Sequence, residues 1–506
     1  MAGGSALNIF RIDTGSMPKE ALNGRLWLAV LTFGLMGAAR GVDEGLITGV
    51  FNSDSFKRQV GIESLDDAAL ASVKGIAIFL ANNGSMGAVY AGRFIAGIGI
   101  GQTVVVGPVY ISEISPAPIR GLCTCVFTGA VYLGILLAYA VNYAAEVDMN
   151  DTFNRWAVPT SLHLMFAGVI LILSFFQMES PRYLISANKR EKALEILCKF
   201  RGVSPDHPYV LDEITAIDVS FQEEKEATMG MGWMGVLKEV FTIRRNVYRL
   251  FLTNLAQVLA CWSGGNSITV YAPDLFKLVG ITGERQSLFS SVIFGVVKLV
   301  SSVICALFLI DAFGRKRALI TGIIIQTVAL FYVAVFLNLV PVANNPGFTP
   351  TSSQNKASEG AIAMIYIAGV GWALGWNSGQ YLLSSELFPL RIRAVCSSIT
   401  MGMHFLMQYA TNRALPNMLL EHHGLTPHGT FYFFGVVSIV GGIWVWMCVP
   451  EAAGRSLEGI DKMFDLPWYK IGRHGRKFAE EYDQEQELNQ HNEKMEAVAS
   501  HREEAA

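Results

Sequence analysis

Apolar residues along the chain gather into long runs separated by short polar turns, with one long polar interruption near the middle. A helix needs roughly 20 predominantly apolar residues to cross the hydrocarbon core of a bilayer. Ten runs reach that length: Leu26–Val50, Ala91–Ile114, Cys123–Tyr143, Trp156–Met178, Leu250–Phe276, Leu288–Ile310, Ala318–Val340, Ala361–Leu383, Ala394–Leu420 and Phe431–Val449. Four precede the polar interruption and six follow it. The stretch Gly75–Tyr90 is too short and too polar to count. This pattern predicts an all-α, polytopic membrane protein.

Composition agrees. The chain has 506 residues, is 52% hydrophobic and only 16% charged, and a soluble globule of this length needs more polar surface. The charges sit between the apolar runs and in the tail, so the formal net charge of −3 gives no reason to expect a nucleic-acid partner. The seven cysteines show no CxxC or metal spacing and fall mostly inside apolar runs, where they read as packing residues. No nucleophile–base set or metal cluster stands in the runs, so neither an enzyme nor a cofactor is expected.

Cations in short loops orient the chain. Arg120, the run Arg315-Lys316-Arg317, and Arg391 with Arg393 fall in alternate loops on one side. The segment Ser180–Arg249, rich in Lys and Arg, lies on that same side. The opposite loops Ala144–Thr152 and Pro341–Gln354 are poor in cations. Both termini are therefore expected to be cytoplasmic. The polar N-terminus lacks the apolar core of a cleavable signal peptide. Asn150-Asp151-Thr152 forms a glycosylation sequon on the outer side.

Six loop strings bring in a known family. GRFIAGIGIG (Gly92–Gly101), SEISPAPIRG (Ser112–Gly121) and ESPRYL (Glu179–Leu184) stand in the first half. DAFGRKRAL (Asp311–Leu319), SSELFPLRIRA (Ser384–Ala394) and VPEAAGRSLE (Val449–Glu458) stand in the second. In that order, at the ends of apolar runs, they closely resemble the signatures of the sugar-porter family of the major facilitator superfamily. WSGGNSITVYAPDLFKL and TNRALPNML resemble its fungal branch, which includes quinate and sugar transporters. The resemblance implies two pseudo-symmetric bundles with the solute held between them near the midplane, opening alternately to each side. The expected organisation is a cytoplasmic segment over 1–25, a first transmembrane bundle over 26–179, and a cytoplasmic loop with short helices over 180–249. A second bundle over 250–450 and a cytoplasmic tail over 451–506, disordered from about Trp468, complete it.

The family has twelve spanning helices, whereas ten are recognisable here. Gly75 runs directly into a stretch that resembles only the end of the family's third helix. Roughly 45 residues, two spans and a short loop, are expected to be missing at Lys74–Ile76. A gene-model artefact and a genuinely shortened product, with an incomplete first bundle and doubtful transport, both remain open.

Ionisable groups at bilayer depth are costly, so each is a candidate for function. Asp43, in GVDEG, resembles the family's first-helix aspartate, and Arg93 opens the next clear helix. By the resemblance these two carry proton coupling; the alternative is a structural bridge from Asp43 to Arg40. At the cytoplasmic turns Glu113 and Arg120, Glu179 and Arg182, Asp311 and Arg315, and Glu386 and Arg391 are expected to act as gating latches. Their alternative is anchoring of helix ends at the headgroups.

The solute positions implied by the resemblance are Gln257, Asn266, Tyr271, Lys298, Tyr381, His404, Gln408 and Arg413. They depart from the hexose pattern. Ala260 and Cys261 replace a glutamine pair, Ile135 replaces a glutamine, Tyr381 a tryptophan and Lys298 an asparagine. Lys298 lies about twelve residues into its helix, near the midplane by a rise of about 1.5 Å per residue. With Arg413 it gives two buried cations and no evident acid at equal depth, which favours an anionic solute such as quinate or a sugar acid. A neutral mono- or disaccharide stays open if carbonyls satisfy Lys298 and Arg413 snorkels outward. His163 reads as hydrogen-bonded packing, with a proton relay as the alternative. The expected protein is a monomeric, multi-pass, plasma-membrane symporter whose partners are the lipid bilayer, protons and a small solute. A nutrient sensor on the same scaffold is the alternative from another class.

Overall fold

Backbone N–H and C=O groups in a bilayer have no water to bond, so a chain that crosses it must satisfy them within helices or closed barrels. In the computed structural model every regular element among the described residues is helical. The structure describes residues 18–52, 86–116, 119–150, 152–228, 233–281, 283–305, 315–340, 351–377, 379–380, 383, 387–388, 390–420, 424–451, 463–467 and 470–481. The first group of long helices is α1 (Gly24–Asn52), α2 (Met86–Ile114), α3 (Arg120–Asp148) and α4 (Phe153–Ser174). Four shorter helices follow: α5 (Pro181–Ser186), α6 (Arg190–Arg201), α7 (Pro208–Thr228) and α8 (Trp233–Thr242). The second group is α9 (Arg244–Trp262), α10 (Gly265–Val270), α11 (Ala272–Leu278), α12 (Glu284–Ile304), α13 (Arg315–Leu339), α14 (Ser352–Leu374), α15 (Leu390–Met418) and α16 (Thr426–Cys448).

Among the described residues eight segments are long and apolar enough to cross a membrane: Gly24–Leu46, Phe94–Ile114, Val126–Asp148, Phe153–Ser174, Glu284–Ile304, Lys316–Leu339, Ser352–Leu374 and Thr426–Cys448. They match eight of the ten expected runs. The Ala394–Leu420 run folds as the continuous α15, but it is too polar to be counted with the eight. The Leu250–Phe276 run, expected as one span, is instead broken into α9, α10 and α11. Gly264 stands between the first two with φ +86°, a left-handed conformation that costs a residue with a Cβ dearly. Beside it, a Cβ on Gly265 would fall 2.0 Å from the Trp372 ring. The junction at Lys74–Ile76, where two helices were expected to be missing, lies outside the described residues.

In the first group α1 packs along α3 through glycines spaced four apart. A Cβ would lie 2.4 Å from the Phe127 carbonyl oxygen at Gly37, 1.9 Å from that of Val131 at Gly41, and 2.7 Å from the Ala138 Cβ at Gly45. From the other side, a Cβ on Gly134 would meet the Ala38 carbonyl oxygen at 2.1 Å. Small residues at this spacing let two backbones touch where lipid supplies no hydrophobic drive for association.

The short helices cap one end of the first group. Arg201 is fully buried; its guanidinium pairs with both Glu213 oxygens (2.8 and 2.6 Å) and donates to the Ile114 carbonyl at the C-terminus of α2 (2.8 Å). Asn23 accepts from the Leu26 N–H at the start of α1 and donates to the Lys199 and Phe200 carbonyls at the end of α6. Gly202, at φ +67°, ends α6 with the usual left-handed stop. Under the second group, residues 470–481 form a helix whose Ile471 and Ala479 are buried in a core with Leu252, Trp376 and Val445. Disorder was expected from about Trp468. The order comes from isolated apolar positions in this polar stretch, which find a ready-made face on the second group.

Two stability tests follow. Gly41→Ala is expected to push α1 off α3 and lower unfolding stability in micelles by roughly 1–3 kcal/mol, whereas Gly129→Ala, with open space around its Cβ, is expected to leave it unchanged. Arg201→Ala is expected to cost roughly 3 kcal/mol by stranding Glu213. Lys199→Ala, at the exposed Lys199–Glu195 pair, is expected to have no measurable effect in the same denaturant titration.

Candidate functional site

The break between α9 and α11 brings polar groups to the seam between the two helix groups. Seam contacts run from α3 to α12 and from α1 to α10 and α11. A Cβ on Gly295 of α12 would lie 3.1 Å from the Leu136 Cα of α3, so these two helices are in close contact. One turn on, Lys298 is buried at the same seam. Its Nζ donates to Thr269 Oγ1 of α10 at 2.5 Å and sits 5.0 Å and 5.4 Å from the ring centroids of Tyr132 and Phe294. Tyr139, seven residues after Tyr132 on the same face of α3, donates its hydroxyl to the Thr269 carbonyl. Among the described residues no carboxylate stands within ion-pair distance of Lys298.

A second cluster adjoins the first. Arg40 and Glu44, one turn apart on α1, pair at 3.3 Å. Gln408 Nε2 of α15 donates to the same Glu44 oxygen at 3.2 Å. Arg40 also meets His404 Nε2 of α15 at 3.3 Å and lies 5.4 Å from the Phe405 ring. The other nitrogen of His404 reaches Gln257 Oε1 of α9 at 3.0 Å. The network thus joins α1 of the first group to α9 and α15 of the second, and the side chains of Arg40, Gln257, His404 and Gln408 are all buried below a tenth exposed.

Of the residues proposed from sequence, Gln257, His404 and Gln408 therefore come together in one network and Lys298 stands beside it. Asn266 is buried on α10, next to Cys261. Tyr271 ends α10, and its hydroxyl donates to the Asn412 carbonyl at 3.0 Å. Arg413 is half-buried on α15 and within electrostatic reach of Tyr271. Tyr381 lies outside the described residues. Asp43 faces His163 of α4 at 3.3 Å, which gives His163 a charged partner. Arg40, offered above as the partner of Asp43, is paired with Glu44. The side chain of Arg93 is not among those described.

The expected latches are described only in part. Asp311 and Glu386 lie outside the described residues, and Arg120, Arg315 and Arg391 have helical backbone without a described side chain. Glu113 accepts from Ser180 at the N-terminus of α5. Glu179 pairs with Lys192 at 2.6 Å, and this hydrogen-bonded ammonium holds its carboxyl below the usual range. Arg182 is half-buried. In the second group Glu451 accepts from the Lys316 N–H at the start of α13 (3.0 Å), where the helix dipole favours an anion. Lys316 Nζ in turn donates to the Trp446 and Gly472 carbonyls. Among the described residues no group of three or more His, Cys, Asp or Glu is placed to hold a metal ion.

Sequence reasoning missed Glu44, Thr269, Tyr132 and Tyr139. The first carried a signal, since an acid four residues after Arg40 inside an apolar run must have a partner. The tyrosines carried a weaker one in their seven-residue spacing. Thr269 carried none, because its role comes from the helix break. Glu44 also lies within electrostatic reach of Lys298.

A family model described as "Sugar (and other) transporter" matches residues 45–464. A probable quinate permease of Aspergillus niger is 29% identical, with 90% of each chain covered. That of Aspergillus flavus is 32% identical over 79% of this chain and 73% of its own, and the quinate permease of Emericella nidulans is 28% identical over 90% and 91%. Among solved structures, a partially occluded, inward-open form of the xylose transporter XylE from E. coli superposes with a TM-score of 0.66. It is 19% identical, with 86% of this chain and 100% of that chain covered. The proton:xylose symporter XylE bound to 6-bromo-6-deoxy-D-glucose gives a TM-score of 0.68 at 21% identity, over 87% and 99%. The two-bundle major facilitator fold is shared with both.

Proposed function

The chain belongs to the sugar (and other) transporter family, and from that premise we propose that it carries a carboxylated polyol, of the quinate or sugar-acid class, across a membrane by alternating access and together with protons. Lys298 carries this reading. An ammonium buried at the seam between the bundles, bonded only to a hydroxyl and two aromatic faces among the described residues, lacks the counter-charge that such burial demands. A carboxylate on the solute supplies it through a short charge-assisted bond. The hydrogen bonds of Glu44 go to Arg40 and Gln408, so it is not bonded to Lys298. The amides of Gln257, Asn266 and Gln408 and the hydroxyl of Tyr271 supply donors and acceptors for the polyol, with Tyr381 and Arg413 at its margins. The likeness to quinate permeases supports the solute class, and the likeness to a proton:xylose symporter supports proton coupling.

Within this reading Asp43 carries the coupled proton, with Arg93 as the cation that tunes it. Glu113 and Arg120, Glu179 and Arg182, Asp311 and Arg315, and Glu386 and Arg391 gate the inner side. The protein acts as a monomer in the plasma membrane with both termini cytoplasmic, which places α5–α8 and residues 470–481 on the inner face.

Uptake of labelled quinate, galacturonate and glucose into transporter-null cells, with and without a protonophore, tests the proposal. Quinate or galacturonate is expected to accumulate, and the protonophore to abolish accumulation. Lys298→Met is expected to raise the half-saturating acid concentration roughly 10- to 100-fold, from the loss of one charge-assisted bond. Glucose uptake that survives Lys298→Asn, with no acid uptake by the native chain, contradicts it.

A further inference from the structure

Two adjacent acids on α1 face different ways, because successive helical residues are turned by about 100°. Asp43 points to His163 of α4, inside the first bundle. Glu44 points across the seam, where it accepts from Gln408 of α15 and pairs with Arg40, itself in contact with His404. The charged or titratable groups around Glu44 are Arg40 on α1, His404 on α15, Lys298 on α12, Tyr139 on α3 and Cys261 on α9. Glu44 is thus an acid bonded across the surface at which the two bundles part, and it shares the field of Lys298.

A solute carboxylate arriving at Lys298 changes the surroundings of Glu44 in two ways. It places a second negative charge nearby, which disfavours the ionised acid, and it offers Arg40 an alternative partner. Resting on the anionic-solute reading above, we propose that Glu44 is a solute-linked proton site: it takes up a proton as the solute's carboxylate binds at Lys298 and releases it as the solute leaves. Linkage is reciprocal, so the protonated site binds the anion more tightly. This is a second proton, beside the one assigned to Asp43; it is drawn from the outer solution and shed to the inner one, and it travels with the solute's single negative charge. Protonation also weakens the hold of Glu44 on Arg40, since a charge-assisted bond becomes an ordinary one. That eases the parting of α1 from α15.

Equilibrium exchange of labelled quinate in proteoliposomes holding the full chain, at matched inner and outer pH, isolates this effect from any driving gradient. The acid group of quinate titrates near about pH 3.5, so the solute is ionised throughout the range from about pH 5 to about pH 8. In the native chain the half-saturating concentration is expected to rise about tenfold over that range, within the usual span of coupling between two sites. Glu44→Gln, a permanently neutral site, is expected to flatten the rise to less than about twofold. Glu44→Asp, which keeps an acid, is expected to retain it whatever its effect on affinity. Lys298→Arg keeps a fixed charge, so a rise that persists in it belongs to Glu44 and not to the lysine. A native-like rise in Glu44→Gln, or its loss in Lys298→Arg, overturns the proposal while leaving the anionic solute in place. Glu44→Asp as flat as Glu44→Gln also overturns it, by reducing the residue to a structural contact. Exchange of glucose but of no carboxylated solute at any pH overturns the underlying reading instead.

Discussion

The close approach of α1 to α3, backbone against backbone at Gly37, Gly41, Gly45 and Gly134, fixes the positions of nearly every polar group at the seam. A helix pressed this tightly cannot rotate, so the face it presents is decided by the glycine stripe. Arg40 and Glu44 flank that stripe and are carried to α15, while Asp43 is turned toward α4. On the opposite helix the same register sets Tyr132 and Tyr139 against Lys298 and Thr269. Lipid is as apolar as leucine, and so the fit of small residues rather than hydrophobic burial has to hold this arrangement.

The second half contributes the complementary constraint. Breaking α9 from α10 at Gly264 frees backbone groups inside an apolar run, which is tolerated where the protein itself satisfies them. Here Thr269 is the meeting point: its hydroxyl receives Lys298 from α12 and its carbonyl receives Tyr139 from α3. One residue on the short α10 therefore ties a cation of the second bundle to a side chain of the first. Movement of the bundles relative to one another must disturb this contact and the Glu44–Gln408 bond together. In the proposed reading, recognition of the solute and the rearrangement of the halves share the same few atoms.

Much of this was legible in the sequence, for physical reasons. Runs of about 20 apolar residues admit few alternatives to spanning helices, and eight of the ten were found as such. Lys298 was visible because a lysine in such a run is expensive. Its surroundings were not, since Thr269 meets it only after the WSGG sequence breaks the helix, and one left-handed glycine leaves no mark on an apolar run. Glu44 stands beside Asp43, and the two acids look alike in an apolar run. Which of two adjacent acids crosses the seam depends on helix rotation, and the glycine spacing that sets it is evident only once α3 is known to be its partner. The packing of Ile471 and Ala479 was likewise hidden, because the tail's average polarity conceals two apolar positions that match a face of the second bundle.

The central claim is that the seam receives a carboxylate at Lys298. The most direct measurement is a structure of the full chain determined with quinate bound. The account predicts the carboxylate within about 3 Å of Lys298 Nζ, replacing or joining the Thr269 hydroxyl, and the ring hydroxyls toward Gln257 and Gln408. Quinate held with its carboxylate on Arg413 or away from the seam, and Lys298 still bonded only to Thr269, would contradict it.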